Sequence, residues 1–494
     1  MEYGTNPLTG MDFPDPDIIR AGDTYYMIST TMHFFPGGQI LRSYDLIHWE
    51  ICSYVYGSLE HTPGERMEGT ETIYGHGMWA ASLRYHNGKF YAVFIAHEWN
   101  RTFLFTAEDI TGPWKKSYIE GIYHDPSLLF DDDGKVYIVY GNRNIRMTEL
   151  KEDLSAPKPG GFDRIIIRDA PADHLGYEGS HIYKINGKYV LFLIHSLQWK
   201  WHRTQACFIT DDIGGVWAGG DVMCSDLDGM GSGPAQGGVV DTPDGKWFSV
   251  VFQDRGAVGR VPVLVPVTWN KNGYPVYGSV AKEVFSESTR PGTKYAPLYA
   301  GDDFSAPELK NVWQFNHEPH DGLWQTGGGR YTITTDKISP SLEYARNTLT
   351  QRTVLPGCTA EVTVDASDIR EGDTAGLCLL IGSYGLIGIT KEKGEYFLVM
   401  RAREKGSGDD AELSRVPFAG SKVRMSAKVS FEGGSGEVRF FYDMNGTWEP
   451  LGGAHKMNFT LDHFVGCRFG LFLYAAKETG GSASFGSFEY LADK

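Results

Sequence analysis

Short apolar runs, separated by clusters of Gly, Asn and Asp, dominate the first half of the chain, and hydrophobic spacing of helical period is nearly absent. One pattern recurs five times: a GD or [N/D]G pair, then Lys or Thr, then aromatic and aliphatic residues. It reads AGDTYYMIST at 21–30, NGKFYAVFIA at 87–96, DGKVYIVYG at 133–141, NGKYVLFLIH at 186–195 and DGKWFSVVFQ at 244–253. Asn-Gly and Asp-Gly between apolar runs predict tight hairpins, because a type I′ turn needs positive φ at both central residues. Each turn follows a second apolar run (DIIR, SLRYH, SLLFD, SHIYKI, GVVDT). Five hairpins at intervals of roughly 45–65 residues predict five four-stranded units, hence an all-β, five-bladed β-propeller.

The pattern changes after Trp269. Residues 270–301 show no strong alternation and read as a linker wrapping back over the body. Strand patterns resume at Asp302 without blade-length repeats. VRMSAKVSF at 423–431 alternates strictly, and EVRFFYDMNGTWEPLG at 437–452 reads as a hairpin with an Asn-Gly turn. The expected organisation is a propeller over 1–280, a linker over 281–301 and a β-sandwich over 302–494.

Counting back from the aromatic after each turn reaches Asp15, Trp79, Asp125, Glu178 and Gln236 at equivalent places in the five units. The innermost strands of a propeller line its axis, so these side chains are expected to converge on one funnel. Three carboxylates brought together repel one another, and such a cost calls for a chemical reason. Asp15 also sits between two prolines in FPDPD, which stiffens the backbone around it.

Composition narrows the chemistry. A formal charge of −16 over 494 residues argues against nucleic acid or an anionic membrane as partner. No apolar stretch at either end has membrane-spanning length or the form of a signal peptide, so a cytoplasmic protein is expected, or a secreted one if a signal was trimmed. Six scattered cysteines without CxxC or metal spacing read as structural thiols. No glycine-rich stretch lies in a nucleotide-binding context. Clustered carboxylates with aromatic and amide neighbours fit glycoside hydrolysis, in which one acid protonates the leaving oxygen and a second activates water or attacks the sugar. Loops HFFPGG at 33–38 and LQWKWHRTQ at 197–205 offer Phe34 and His202 as sugar-binding side chains, and Trp79 is a candidate platform. No cofactor is required by this chemistry and no catalytic metal is assigned. The acidic start GDDFSAPEL of the second domain is a candidate structural calcium site.

FPDPDII, DPSLLFDDDGKVYIVYG, YEGSHIYKINGKY and VDTPDGKWF together resemble glycoside hydrolase family 43. HFFPGGQILRSYDLIHWE is similar to its exo-acting β-xylosidase branch, and the tail resembles the concanavalin-like jelly roll that packs on the propeller there and lends a loop to the pocket. The resemblance implies removal of terminal β-D-xylosyl or α-L-arabinofuranosyl residues from hemicellulose oligosaccharides with inversion. It implies Asp15 as general base, Asp125 as the acid that tunes and orients, Glu178 as general acid, and Arg260 as an arginine reaching the substrate. Two departures stand out. Gln236 occupies the place where relatives often carry a His that helps hold a central cation, and IHSLQWKWHRTQ, with Trp199, Trp201, His202 and Arg203, replaces AEGGT at the pocket rim. Two other readings compete: a retaining β-fructosidase-like propeller, whose WMNDPNG and RDP motifs are missing, and a non-catalytic sugar-binding propeller, which should have lost an acid. A homo-oligomer stays open.

Overall fold

The computed structural model describes residues 1–493 apart from 97, 171–173, 405, 409 and 435. Residues 17–277 form five four-stranded antiparallel blades. Their innermost strands are Asp17–Ala21, Met78–His86, Ser127–Phe130, Glu178–Ile185 and Val239–Asp241. All five expected hairpins are present, but the turns differ. Asn87-Gly88 and Asn186-Gly187 carry positive φ at both residues, as type I′ requires, whereas in the Asp-Gly loops only Gly134 and Gly245 do. The extra residues of FDDDG and TPDG lengthen those loops and relieve the aspartates of the left-handed conformation.

The expected linker is partly a strand. Glu283–Ser286 pairs antiparallel with Glu2–Thr5, tying the chain start to the end of the propeller. Beyond it, two large antiparallel sheets form the sandwich. Lys422–Ser430 buries Val423, Met425, Ala427 and Val429, as its alternation predicts, and the 437–452 hairpin turns at Asn445-Gly446.

One strand crosses the domain boundary. Phe34–Phe35, in a loop of the first blade, pairs with Gln314–Asn316 and completes the edge of a sandwich sheet. Phe34 is fully buried beneath the Arg468 guanidinium, 3.6 Å from the ring centre, and is therefore not the sugar-binding residue expected of it. A single apolar core runs from Phe13 and Ile18 of the propeller to Phe304, Trp313 and Phe469 of the sandwich. At the same seam four aromatic rings cluster: His33 and Tyr74 from the propeller, His317 and His463 from the sandwich.

Candidate active site

The five equivalent positions do not meet as the simple count has them. Read from the pairing register, the counterparts of Asp15 are Ala80, Asp125, Gly179 and Gln236. Register shifts between Met78 and Ala81, and between Glu178 and His181, bring Trp79 and Glu178 to the rim from one residue earlier. Such bulges re-aim a side chain without disturbing the rest of the strand. Asp15, Asp125, Gly179 and Gln236 have φ of 50°, 46°, 63° and 55°. Left-handed backbone at three non-glycine residues costs energy and marks a functional ring. In the fourth unit the bend falls on Gly179, where a Cβ would lie 2.7 Å from the Gln236 amide.

Asp15, Trp79, Asp125, Glu178, Gln236 and Arg260 line one cavity of about 210 Å³. Of the eight residues singled out in the sequence, these six are brought together. Phe34 is not, and neither is His202. Along Lys200–Thr210 alternate residues point to opposite faces, so Trp201 and Arg203 reach the pocket while the His202 ring is buried against the carbonyls of Ser225 and Gly231.

Asp15 is held from two sides. Thr30 donates its hydroxyl to Oδ2 at 2.8 Å, and Arg260 donates to Oδ1 at 2.5 Å. Burial pushes Asp15 above the usual carboxylate range, and Arg260 opposes that push. Arg260 lies between the rings of Phe252 and Phe464 and also faces Asp254, which in turn accepts from Arg203 at 2.6 Å. Across the cavity, Asp125 accepts the Gly179 N–H at 3.1 Å, and Glu178 accepts from the Asn142 amide at 2.5 Å. Burial also raises Asp125, with Glu178 adding to it and His124 opposing.

His124 was invisible to the count. Its Nε2 lies 3.7 Å from Asp125 Oδ2 and 3.5 Å from Glu178 Oε2. The Asp125 carboxylate, against the cost of burial and with help from Glu178, pushes His124 up to about 9. The ring is therefore a cation between two acids. The signal for it was the residue just before the Asp125-Pro126 pair, in YHDPS. Asn142 and Leu175 had no comparable mark. Leu461 and Phe464 come from the sandwich, so the second domain supplies part of the wall.

His124, Asp125 and Glu178 bring three ligand-type atoms within 4.8 Å, as do Glu2, Asp45 and His48. A protonated His124 donates rather than ligates, which makes the first group an ion cluster. Beneath the pocket the propeller axis carries its own cation. The Arg84 guanidinium donates to Asp17 at 2.7 Å, to Ser127 Oγ at 2.7 Å and to the Leu128 carbonyl at 2.8 Å. Asp17 also faces His181 at 3.0 Å. The axial residues therefore do not fit a central metal ion. At the start of the sandwich, Asp302 accepts from Phe304 N–H and Trp313 Nε1–H, so this carboxylate is already engaged inside the domain. All six cysteines are free, and no described helix is long and apolar enough to cross a membrane.

The model of glycosyl hydrolases family 43 matches residues 4–275, and that of the beta xylosidase C-terminal concanavalin A-like domain matches residues 301–491. A beta-xylosidase of Formosa agariphila is 26% identical, over 98% of this chain and 90% of its own length. A non-reducing end alpha-L-arabinofuranosidase of Bacteroides ovatus is 26% identical, over 85% of this chain and 82% of its own. Among solved structures, a bifunctional GH43-CE protein of Bacteroides eggerthii superposes with a TM-score of 0.91 at 39% identity. It matches the whole of this chain, which spans 64% of that protein's length.

Proposed function

Because the chain belongs to glycosyl hydrolases family 43, we propose that it is an exo-acting glycosidase that removes a terminal β-D-xylosyl or α-L-arabinofuranosyl residue with inversion. The observation that carries this reading is the convergence of Asp15, Asp125 and Glu178 on one small cavity, with Arg260 and Gln236 among its lining. A cavity of about 210 Å³ suits the end of a chain rather than its middle.

Asp15 is the general base. It is ionised and held by Thr30 and Arg260, yet each carboxylate oxygen has a second lone pair, so capacity remains to accept a proton from water. Glu178 is the general acid and gives its proton to the leaving oxygen as the glycosidic bond breaks. Asn142 and His124 beside it then stabilise the carboxylate that forms. Asp125, fixed by the Gly179 N–H, keeps His124 protonated and aligned. Arg260, sandwiched between two rings, cannot swing away from Asp15. Trp79 packs edge-on to Phe464 at 5.2 Å and forms an apolar wall for the sugar ring.

The test compares p-nitrophenyl β-D-xyloside and α-L-arabinofuranoside, with NMR of the first-formed anomer. Hydrolysis of at least one with inversion is expected. Activity on neither, or a retained configuration, overturns the reading.

A further inference from the structure

Behind the wall that holds Asp15, buried charges alternate in a row. The strands Trp247–Asp254 and Arg260–Trp269 of the fifth blade are the arms of one hairpin, and their register sets Asp254 directly opposite Arg260. Asp254 Oδ1 faces Arg260 Nε at 3.4 Å, while its Oδ2 accepts from Arg203 Nε of the fourth blade at 2.6 Å. Arg260 turns its other edge to Asp15 and donates to it from Nη1. The row therefore reads Arg203, Asp254, Arg260, Asp15, with the sign changing at each step. Both guanidiniums also meet the Phe252 ring, Arg203 at 5.2 Å and Arg260 at 4.6 Å from its centre. Arg203, Arg260 and Asp15 are buried, and the Asp254 side chain is only 13% exposed.

We propose that Asp254 is a positioning residue for the reaction: shared between Arg203 and Arg260, it decides how much of the Arg260 cation is left for Asp15. The inference rests on the assignment of Asp15 as the base. Three observations carry it. One carboxylate serves two buried guanidiniums that flank the same ring, and like charges so placed repel unless an anion lies between them. Burial works against the charge on Asp254, but Arg203 and Arg260 outweigh it and hold the group below the usual carboxylate range, so the anion is in place. The sharing is also lopsided, since the short bond goes to Arg203 and Arg260 Nε makes no hydrogen bond. Arg260 is thereby left to lean on Asp15. The other charges that face Asp15 are Asp125, His124 and Glu178 across the cavity, and Arg203 at longer range. Without Asp254, both arginines would act on Asp15 uncompensated. Without Arg203, Asp254 would turn to Arg260 and loosen its hold on the base.

The experiment follows kcat/KM against pH on the aryl pentoside that the full chain hydrolyses, in wild type, Asp254→Asn, Arg203→Gln and the double variant. Asp254→Asn should move the acidic limb to lower pH by about 0.5–1 unit. The weaker base should also cut kcat by about three- to tenfold. Arg203→Gln should move the limb the opposite way. The double variant removes one charge of each sign, so its limb should return toward the wild-type position. A second readout needs no turnover: carbon NMR of aspartate-labelled protein, with the Asp15 carboxyl identified by its absence in Asp15→Asn, should show the same displacements. A bridge that only braces the hairpin would lower activity or stability in Asp254→Asn and leave the limb in place, and that result overturns the proposal. So do shifts of one sign in both single variants. If Asp254→Asn does not fold, the other two variants still decide: an unmoved limb in Arg203→Gln, or an equal displacement in the double variant, overturns it. If wild type hydrolyses neither pentoside, the exo-pentosidase reading fails, and the Asp15 titration alone tests the row of charges.

Discussion

Arg260 donates to Asp15 Oδ1 at 2.5 Å, a bond that joins the fifth blade to the segment entering the first. The same carboxylate is pushed upward by its burial. Arg260 thus keeps a buried base ionised. Because Asp15 acts as the anion, activity rises as pH climbs through its raised pKa, and the acidic limb of kcat/KM should lie above the ordinary carboxylate value of about 3.9. Arg260→Gln removes the opposing cation. The limb should move to higher pH, and kcat/KM should fall by about 10- to 100-fold, the worth of a charge-assisted hydrogen bond. An acidic limb that stays where it was would show that Arg260 contacts substrate without tuning the base.

Leaving-group chemistry separates the acid from the base. Glu178→Gln keeps the shape and removes the proton. Activity on a natural oligosaccharide, whose alkoxide needs protonation, should fall by about 10²–10⁴-fold, whereas an aryl glycoside with an acidic phenol should lose far less. Asp15→Asn should abolish both, since water needs activation whatever departs. Azide should rescue neither variant through a covalent route, because inversion forms no glycosyl-enzyme. Equal losses for Glu178→Gln on the two substrates would mean that the acid lies elsewhere.

His124 makes a prediction at the alkaline end. Its pKa in the folded protein, about 9, exceeds the unfolded value of about 6.5, so its contribution to stability is complete below pH 6.5 and is lost as pH rises through 9. Between those limits the wild type should lose more stability than His124→Gln, and the thermal midpoints of the two should converge toward pH 10. Activity of His124→Gln should fall at neutral pH, since the new Glu178 carboxylate loses a neighbouring cation. Parallel stability curves for the two proteins would contradict this assignment.

The histidines at the domain seam act in the opposite direction. Burial lowers His317 to about 3 and His463 to about 4, and lowers His33 as well. Their folded values lie below the unfolded one, so their neutral packing is fully favourable above pH 6.5 and is increasingly opposed as pH falls toward 4. Acid should therefore loosen the seam before it unfolds either domain. Neither ring nitrogen of His463 has a hydrogen-bond partner, so His463→Phe should be better tolerated than a core substitution usually is, and it should raise the thermal midpoint at pH 5 relative to wild type. An identical pH dependence of the midpoint in that variant would refute the seam as the acid-sensitive element.

Local signals were the legible ones. The hairpins were readable because Asn-Gly and Asp-Gly turns need only their own residues, and Asp15, Asp125 and Gln236 could be counted because each lies eleven or twelve residues before the aromatic that follows its turn. Glu178 was reached because the count in the fourth unit ran one residue past Gly179, the register counterpart of Asp15. Phe34 was misread because its partner strand lies some 280 residues away at Gln314–Asn316, and no local pattern announces such a pairing. His202 was misread for want of a strand register: once Lys200–Thr210 is known to be continuous, alternation sends Trp201 and Arg203 toward the pocket and His202 to the opposite, also buried, face. Leu461 and Phe464 carry no signal at all, since apolar residues in a sandwich loop look the same whether they face solvent or another domain.

The shared strand Phe34–Phe35 changes what counts as a part. A tandem of catalytic and accessory modules can usually be shuffled in evolution or cut apart in the laboratory. Here a cut at the linker would strip the sandwich sheet of its last strand, expose Phe34 and an open sheet edge on the propeller, and remove Leu461 and Phe464 from the pocket wall. Exchanging the sandwich for that of a relative would succeed only if the loop of the first blade travelled with it. The heritable unit is the pair.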